Sequence, residues 1–393
     1  MRSKFGDLLV AEGRPDKNEA RHVNAPIELG STMVFNTLSA FEEARDARYE
    51  SGTLYYGRYG NAASFQLEET ITKLEGAAGV TLTSSGVSAI SHTLSALVLP
   101  GSHLLVADNV YGNTRNFCEA VLKMRGVEIE YFNPMEIAQF EVLIRGETCA
   151  VMFETPATGT FEFPDVKQIA EIAKQKNIVT VLDSTWGSPI LLNALSLGVD
   201  VVVYSASKHI SGHSDCMMGV IASGKEDMHK RIRSCVFAYG DKIGGQEVFL
   251  ALRGLRTIEM RMRHVDQSTR EICEWLSKRD EVKKVLHPIF DDCQGHQNWK
   301  RDFDGAAGLF GVVFHPCSDE NIEAFVNALH HFAIGVSWGG YESLVLPVKP
   351  MRSVEGSWSE DGQLVRFSIG FEKVETLIND LAFALPLLER NWS

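Results

Sequence analysis

Between residues 64 and 223 the chain alternates helix-length stretches with short apolar runs, and this rhythm constrains the fold more than any other feature. The helical stretches fall at 64–75, 86–97, 111–125 and 164–175, and the apolar runs at 77–83, 103–107, 127–132, 149–154, 178–183, 199–205 and 217–222. Runs of strand length that are apolar throughout suit strands covered on both faces. The expected fold class is therefore α/β, a largely parallel sheet with helices on both faces.

Residues 1–62 lack long periodic runs and carry turn formers at Ser51-Gly52-Thr53 and Gly57-Arg58-Tyr59-Gly60-Asn61, so they read as an arm that packs on little of its own chain. A long stretch at 243–277, with few breakers besides Gly254, leads out of the sheet. Strand-like 282–287, 308–315 and 364–369 and helical 319–330 and 374–390 then make a smaller α+β unit. The expected division is an arm at 1–62, a large α/β domain at 63–257 and a C-terminal α+β domain at 258–393. In the run 364–369, Val365, Phe367 and Ile369 alternate with Arg366 and Ser368, which predicts one apolar face and one presenting a guanidinium.

Composition narrows the function. Lys and Arg number 38 against 51 Asp and Glu, a net charge of −13, which leaves no diffuse positive field for nucleic acid or an anionic membrane. No apolar run approaches the roughly 18 residues of a membrane span. The 7 cysteines are scattered without a C-x-x-C pair, so they read as thiols of a reducing compartment, neither a disulfide framework nor a metal site. A cytoplasmic enzyme is expected. His209 and His213 lack ligand-spaced partners and read as structural histidines, and Arg261-Met262-Arg263-His264 as a solvated helix face.

The chemistry concentrates at strand ends, where open α/β sheets bind ligands. Ser205-Ala206-Ser207-Lys208 follows the apolar run 199–204. A lysine there can form a Schiff base with an aldehyde, and the flanking hydroxyls can hold a phosphate beside it. The run 179–182 ends in Asp183, a carboxylate able to pair with a pyridine nitrogen or simply to make an Asx turn. Ser85-Gly86-Val87 opens a helix whose N-terminus favours a phosphate dianion, with Ser85 as an ordinary N-cap the competing account. Tyr111 opens the next helix, its ring free to stack on a planar cofactor or to fill a core.

These motifs resemble, in order and spacing, the pyridoxal-phosphate-dependent (PLP-dependent) enzymes of cysteine and methionine metabolism. The same resemblance runs through Tyr56-Gly57-Arg58, Arg253-Gly254-Leu255-Arg256-Thr257, the segment 295–303, Ser337-Trp338-Gly339-Gly340 and the segment 365–372. It implies the type I aminotransferase-like fold, with pyridoxal 5′-phosphate bound to Lys208, its pyridine nitrogen held by Asp183 and its ring covered by Tyr111. Gly86, Val87, Ser205 and Ser207 would form the phosphate cup, completed by Tyr56 and Arg58 of a neighbouring subunit. A homo-oligomer with shared sites, a dimer of dimers, is implied.

By the same resemblance Arg366 clamps the α-carboxylate of an amino-acid substrate, and Ser337, Trp338, Tyr56 and Tyr111 line its pocket. The γ-eliminating relatives usually carry a smaller aliphatic residue where this chain has Trp338, so the implied activity is cleavage of the Cβ–S bond of L-cystathionine to homocysteine, pyruvate and ammonia. Lys208 would move the α-proton, and Tyr111 or Tyr56 would serve the substrate amine. A γ-lyase or γ-synthase, an alanine racemase or bifunctional lyase and racemase, and a non-catalytic binding protein are the alternatives.

Overall fold

The computed structural model describes residues 5–13, 22–354 and 358–388. Each apolar run of the first half forms a strand: β1 (Gly79–Thr83), β2 (His103–Ala107), β3 (Glu128–Phe132), β4 (Thr148–Glu154), β5 (Val179–Asp183), β6 (Val201–Ser205) and β7 (Gly219–Ser223). They make one sheet in the order β1-β7-β6-β5-β4-β2-β3, in which β7 is antiparallel to both neighbours and every other pairing is parallel. The central strands are buried almost throughout, as helices on both faces require. Glu128 and Glu130 sit on the edge strand β3, where charge discourages pairing with another chain.

Register places Glu154 opposite Asp183 and Asp183 opposite Val203, so the carboxyl ends of β4, β5 and β6 share one edge. Helices enter and leave there on strong caps. Asn61 and Ser64 form a capping box at the start of helix Ala62–Glu75, and the Ser85 hydroxyl accepts from the Ser88 N–H at 3.0 Å to cap helix Gly86–Leu97. The stretch 111–125 is not one helix: it runs as helix Gly112–Phe117, a π turn Cys118–Leu122 and a 3-10 turn Lys123–Arg125.

The stretch 243–277 divides at Arg256–Thr257 into helices Gly245–Leu255 and Ile258–Leu276. Beyond them β8 (Val282–Leu286), β9 (Leu309–Phe314), β10 (Ala333–Ile334), β11 (Leu344–Pro347) and β12 (Gln363–Ser368) form a second sheet in the order β10-β11-β12-β9-β8. It has its own apolar cluster, including Phe310, Phe314, Phe325 and Phe367.

Three expectations are corrected. Arg261 and Met262 are buried, and only Arg263 and His264 of that cluster face solvent, because the helix packs on the Lys208 turn along one side. On β12, Leu364 and Ser368 are buried along with Val365 and Phe367, so both faces are covered and Arg366 is half-buried. The start of the arm packs on its own chain: Leu9 is buried in the large core, and Arg256 donates to the carbonyls of Leu9 and Glu12. Among the described residues no helix is long and apolar enough to cross a membrane, and no cluster of three His, Cys, Asp or Glu could hold a metal.

Candidate active site

Lys208 stands in the turn after β6, with its Nζ donating to Ser337 Oγ at 2.7 Å and 5.6 Å from the centre of the Trp338 ring. Burial lowers its pKa to about 8, with Arg366 adding to the effect and Asp183 opposing it. An amine so placed is partly neutral near pH 7 and can act as nucleophile or base.

Asp183 ends β5 nearby and is buried. Thr185 donates to it twice, from its backbone N–H at 2.9 Å and its hydroxyl at 2.6 Å, and both bonds fall on Oδ1. The Thr185 hydroxyl oxygen accepts from the Ser205 N–H at 2.9 Å, which ties the ends of β5 and β6 together. Burial raises the Asp183 pKa, while Thr185 and Lys208 pull it down.

The neighbouring carboxylate, Glu154, is a site residue that sequence reasoning missed. It accepts from the Tyr111 N–H at 2.8 Å and the Thr158 hydroxyl at 2.6 Å, and burial followed by the nearby Asp183 holds its pKa well above the usual range. The signal was available: the run 149–154 ends in a carboxylate just as 178–183 does.

Tyr111 is the N-cap residue of helix Gly112–Phe117, and its hydroxyl accepts from the Asn113 amide at 2.6 Å. Arg366 Nη2 donates to the carbonyls of Gly335 and Val336, each at 2.9 Å, and to that of Ser337 at 3.3 Å. Burial lowers the Arg366 pKa and Tyr111 opposes this, whereas at Lys208 Arg366 acts in the same direction as burial. Lys208, Asp183, Tyr111, Ser337, Trp338 and Arg366 thus form one constellation.

Gly86 lies where helix Gly86–Leu97 meets β6. A Cβ there would stand 2.6 Å from the Ser205 Cβ, so only glycine lets the helix N-terminus approach so closely. The first-turn N–H groups of Gly86 and Val87 have no intrahelical acceptors and suit an anion. The Ser207 hydroxyl accepts from the Met218 N–H at 3.0 Å and lies 3.3 Å from the Met218 carbonyl, so it also fastens the entry to β7. Asp241, unforeseen from sequence, accepts from the Ser84 N–H and the Ser88 hydroxyl and lies 3.2 Å from His92 Nε2.

Tyr56 and Arg58 are not brought to Lys208 of their own chain. Arg58 donates to the Phe237 carbonyl at 2.5 Å and to the Tyr59 hydroxyl at 2.8 Å, while Tyr56 is exposed beside the Thr32 bridge. His209 is buried edge-on to Trp338 at 5.3 Å, and burial, then Arg261 and Lys208, lower its pKa to about 3, as befits a neutral structural histidine.

A phosphorylated pyridine aldehyde fits these residues: an amine with an accessible neutral form, a carboxylate whose Oδ2 takes neither Thr185 bond, and a glycine cradle at a helix N-terminus.

Comparison with known proteins agrees. A profile described as Cys/Met metabolism PLP-dependent enzyme matches residues 7–386. The cystathionine beta-lyase of Bordetella avium is 37% identical over 382 residues, 96% of this chain and 95% of the relative. The L-alanine/L-glutamate racemase of Wolbachia pipientis wMel is 33% identical over 397 residues, 98% of each. The crystal structure of metB from Corynebacterium glutamicum superposes with a TM-score of 0.89 at 28% identity, covering 99% of both chains. The chain belongs to the PLP-dependent enzymes of cysteine and methionine metabolism, and pyridoxal 5′-phosphate is its cofactor.

Proposed function

We propose that the protein is a cystathionine β-lyase, cleaving the Cβ–S bond of L-cystathionine to homocysteine, pyruvate and ammonia. The observation that carries this reading is the half-buried Lys208 amine set between Ser337, Trp338 and Arg366, a base beside a carboxylate clamp and an apolar wall. Relatives called cystathionine beta-lyase at 32% to 37% identity support it.

Lys208 would hold the cofactor, Asp183 its pyridine nitrogen, Tyr111 its ring, and Gly86, Val87, Ser205 and Ser207 its phosphate. Bound there, pyridoxal phosphate supplies an electron-poor ring that accepts the electron pair released when the Cα–H bond breaks. Arg366 exchanges its carbonyl partners for the substrate carboxylate in a bidentate pair, which fixes the α-carbon. Lys208 takes the α-proton, and Ser337 orients its Nζ between transfers. Trp338 walls off water while the thiolate departs from Cβ, and hydrolysis of the remaining three-carbon enamine yields pyruvate and ammonia. Either Tyr111 or Tyr56 receives the proton of the incoming amine.

The test is matched release of pyruvate and thiol from L-cystathionine, lost in Lys208→Ala. Formation of 2-oxobutyrate in place of pyruvate would move the assignment to γ-chemistry, and Trp338→Leu is expected to shift the product ratio in that direction. The Wolbachia relative favours a second reading, an alanine racemase activity of the same site, tested by comparing turnover of L-alanine with that of L-cystathionine.

The reading includes a homo-oligomer, a dimer of dimers, whose arms at 1–62 carry Tyr56 and Arg58 to the partner's phosphate site. Exposed Leu29, Val34 and Leu38 on that arm support it. A cytoplasmic location belongs to the same proposal, supported by 7 cysteines that are all free.

A further inference from the structure

Arg261, expected on a solvated helix face, is 9% exposed, and among the described residues its side chain bonds to Thr257, Ile210 and Gly254 and to no carboxylate. Its Nη2 donates to the Gly254 carbonyl at 2.8 Å and the Ile210 carbonyl at 3.3 Å, and its Nε donates to Thr257 Oγ1 at 3.1 Å. The guanidinium therefore bridges the end of helix Gly245–Leu255 to the turn that carries Lys208. That turn is closed by Lys208 N–H to the Ser205 carbonyl at 3.1 Å and Gly212 N–H to the Lys208 carbonyl at 2.8 Å.

Two glycines shape themselves around this contact. A Cβ on Gly254 would stand 2.3 Å from the Ile210 carbonyl oxygen and 2.4 Å from that of Ser211, so glycine lets the helix press on the turn. Gly212 has φ +69°, and a Cβ there would fall 1.9 Å from Arg261 Nη1. The guanidinium occupies the space a side chain at 212 would need. A cavity of about 10 Å³, room for one water, adjoins it between His209, Gly340 and Ser368.

The geometry points to Arg261 as the positioning residue of the Lys208 amine: by clamping the 208–212 turn to two helices it sets where the amine stands relative to Asp183 and Ser337. This rests on the reading of Lys208 as the cofactor lysine. A planar fork reaching three acceptors is a task that lysine does not reproduce. Burial of an unpaired guanidinium is costly, and carbonyl oxygens are the partners that keep it in place.

The test uses holoenzyme. Arg261→Lys and Arg261→Ala are compared with wild type by far-ultraviolet circular dichroism, by bound cofactor, and by the visible circular dichroism that the cofactor acquires in its site. The expected result is retained fold and cofactor, reduced visible dichroism per bound cofactor, and kcat lower by about 10- to 100-fold at unchanged KM. Millimolar guanidinium chloride, but not methylammonium, should restore both signals in Arg261→Ala, and Arg263→Met on the solvent side should match wild type.

Should the Arg261 variants fail to fold, Thr257→Val, which removes one acceptor and leaves the guanidinium, is expected to show a smaller change of the same sign. Wild-type dichroism and kcat in the folded Arg261 variants, or in Thr257→Val if those do not fold, would overturn the proposal. A wild-type protein that binds no cofactor at Lys208 would overturn the reading of the site as well.

Discussion

At the scale of single residues, one half-buried amine and one buried carboxyl titrate where ordinary pH can reach them. Lys208 is lowered to about 8 by burial, with Arg366 adding to it. Only the neutral amine attacks an aldehyde, so the rate at which cofactor-free protein takes up pyridoxal phosphate should rise with pH through about 8. Arg366→Met removes a positive neighbour and should move that midpoint upward in stopped-flow absorbance; an unmoved midpoint would show that burial acts alone.

Glu75 is buried beneath Tyr204, whose hydroxyl donates to it, and burial raises its pKa from 4.5 to about 7. A carboxyl raised on folding favours the fold below its unfolded pKa and loses that advantage as pH climbs toward the folded value. Between pH 4.5 and 7 the group should therefore cost roughly 3 kcal/mol of stability. Glu75→Gln should flatten the corresponding fall in denaturation midpoint; equal slopes in the two proteins would refute the assignment.

Secondary-structure elements place these residues, and their legibility varied for physical reasons. Buried parallel strands advertise themselves as apolar runs, so β1 to β7 were readable within a residue or two at most ends. β10 and β11 were not, because two and four residues hold no period. The arm helices Gly6–Ala11 and Leu38–Asp46 were missed for a similar reason: at six and nine residues they are too short to show a sustained period, and each buries at most one side chain.

The helix at 86–97 was legible to the residue, since Ser85 caps it and Gly86 begins it. Its N-terminus should depend on that glycine. Gly86→Ala is expected to weaken pyridoxal-phosphate binding by at least about tenfold, because the methyl group must push Ser205 from the anion site. Equilibrium dialysis with unchanged affinity would place the phosphate elsewhere.

At the scale of the whole molecule, assembly decides where the residues of the arm act. Arg58 contacts Phe237 and Tyr59 of its own chain, and Tyr56 lies exposed on the arm, away from Lys208. If these two complete a partner's site, mixing Arg58→Ala with Lys208→Ala chains should restore activity, up to about a quarter of wild type for one intact site per hybrid dimer. Hybrids that form and remain inactive would assign Arg58 to its own subunit.

The amino-acid sequence alone determined the α/β class, the strand ends that carry Lys208 and Asp183, and the cofactor chemistry those residues imply, because periodicity and strand-end motifs are local. Tertiary structure decided what depends on neighbours distant in the chain. It buried Arg261, paired Glu154 with Asp183 across two strands, set Asp241 beside the helix N-terminus and brought Arg366 against the 335–337 segment. Burial and electrostatic environment are properties of packing, and no window along a sequence contains them.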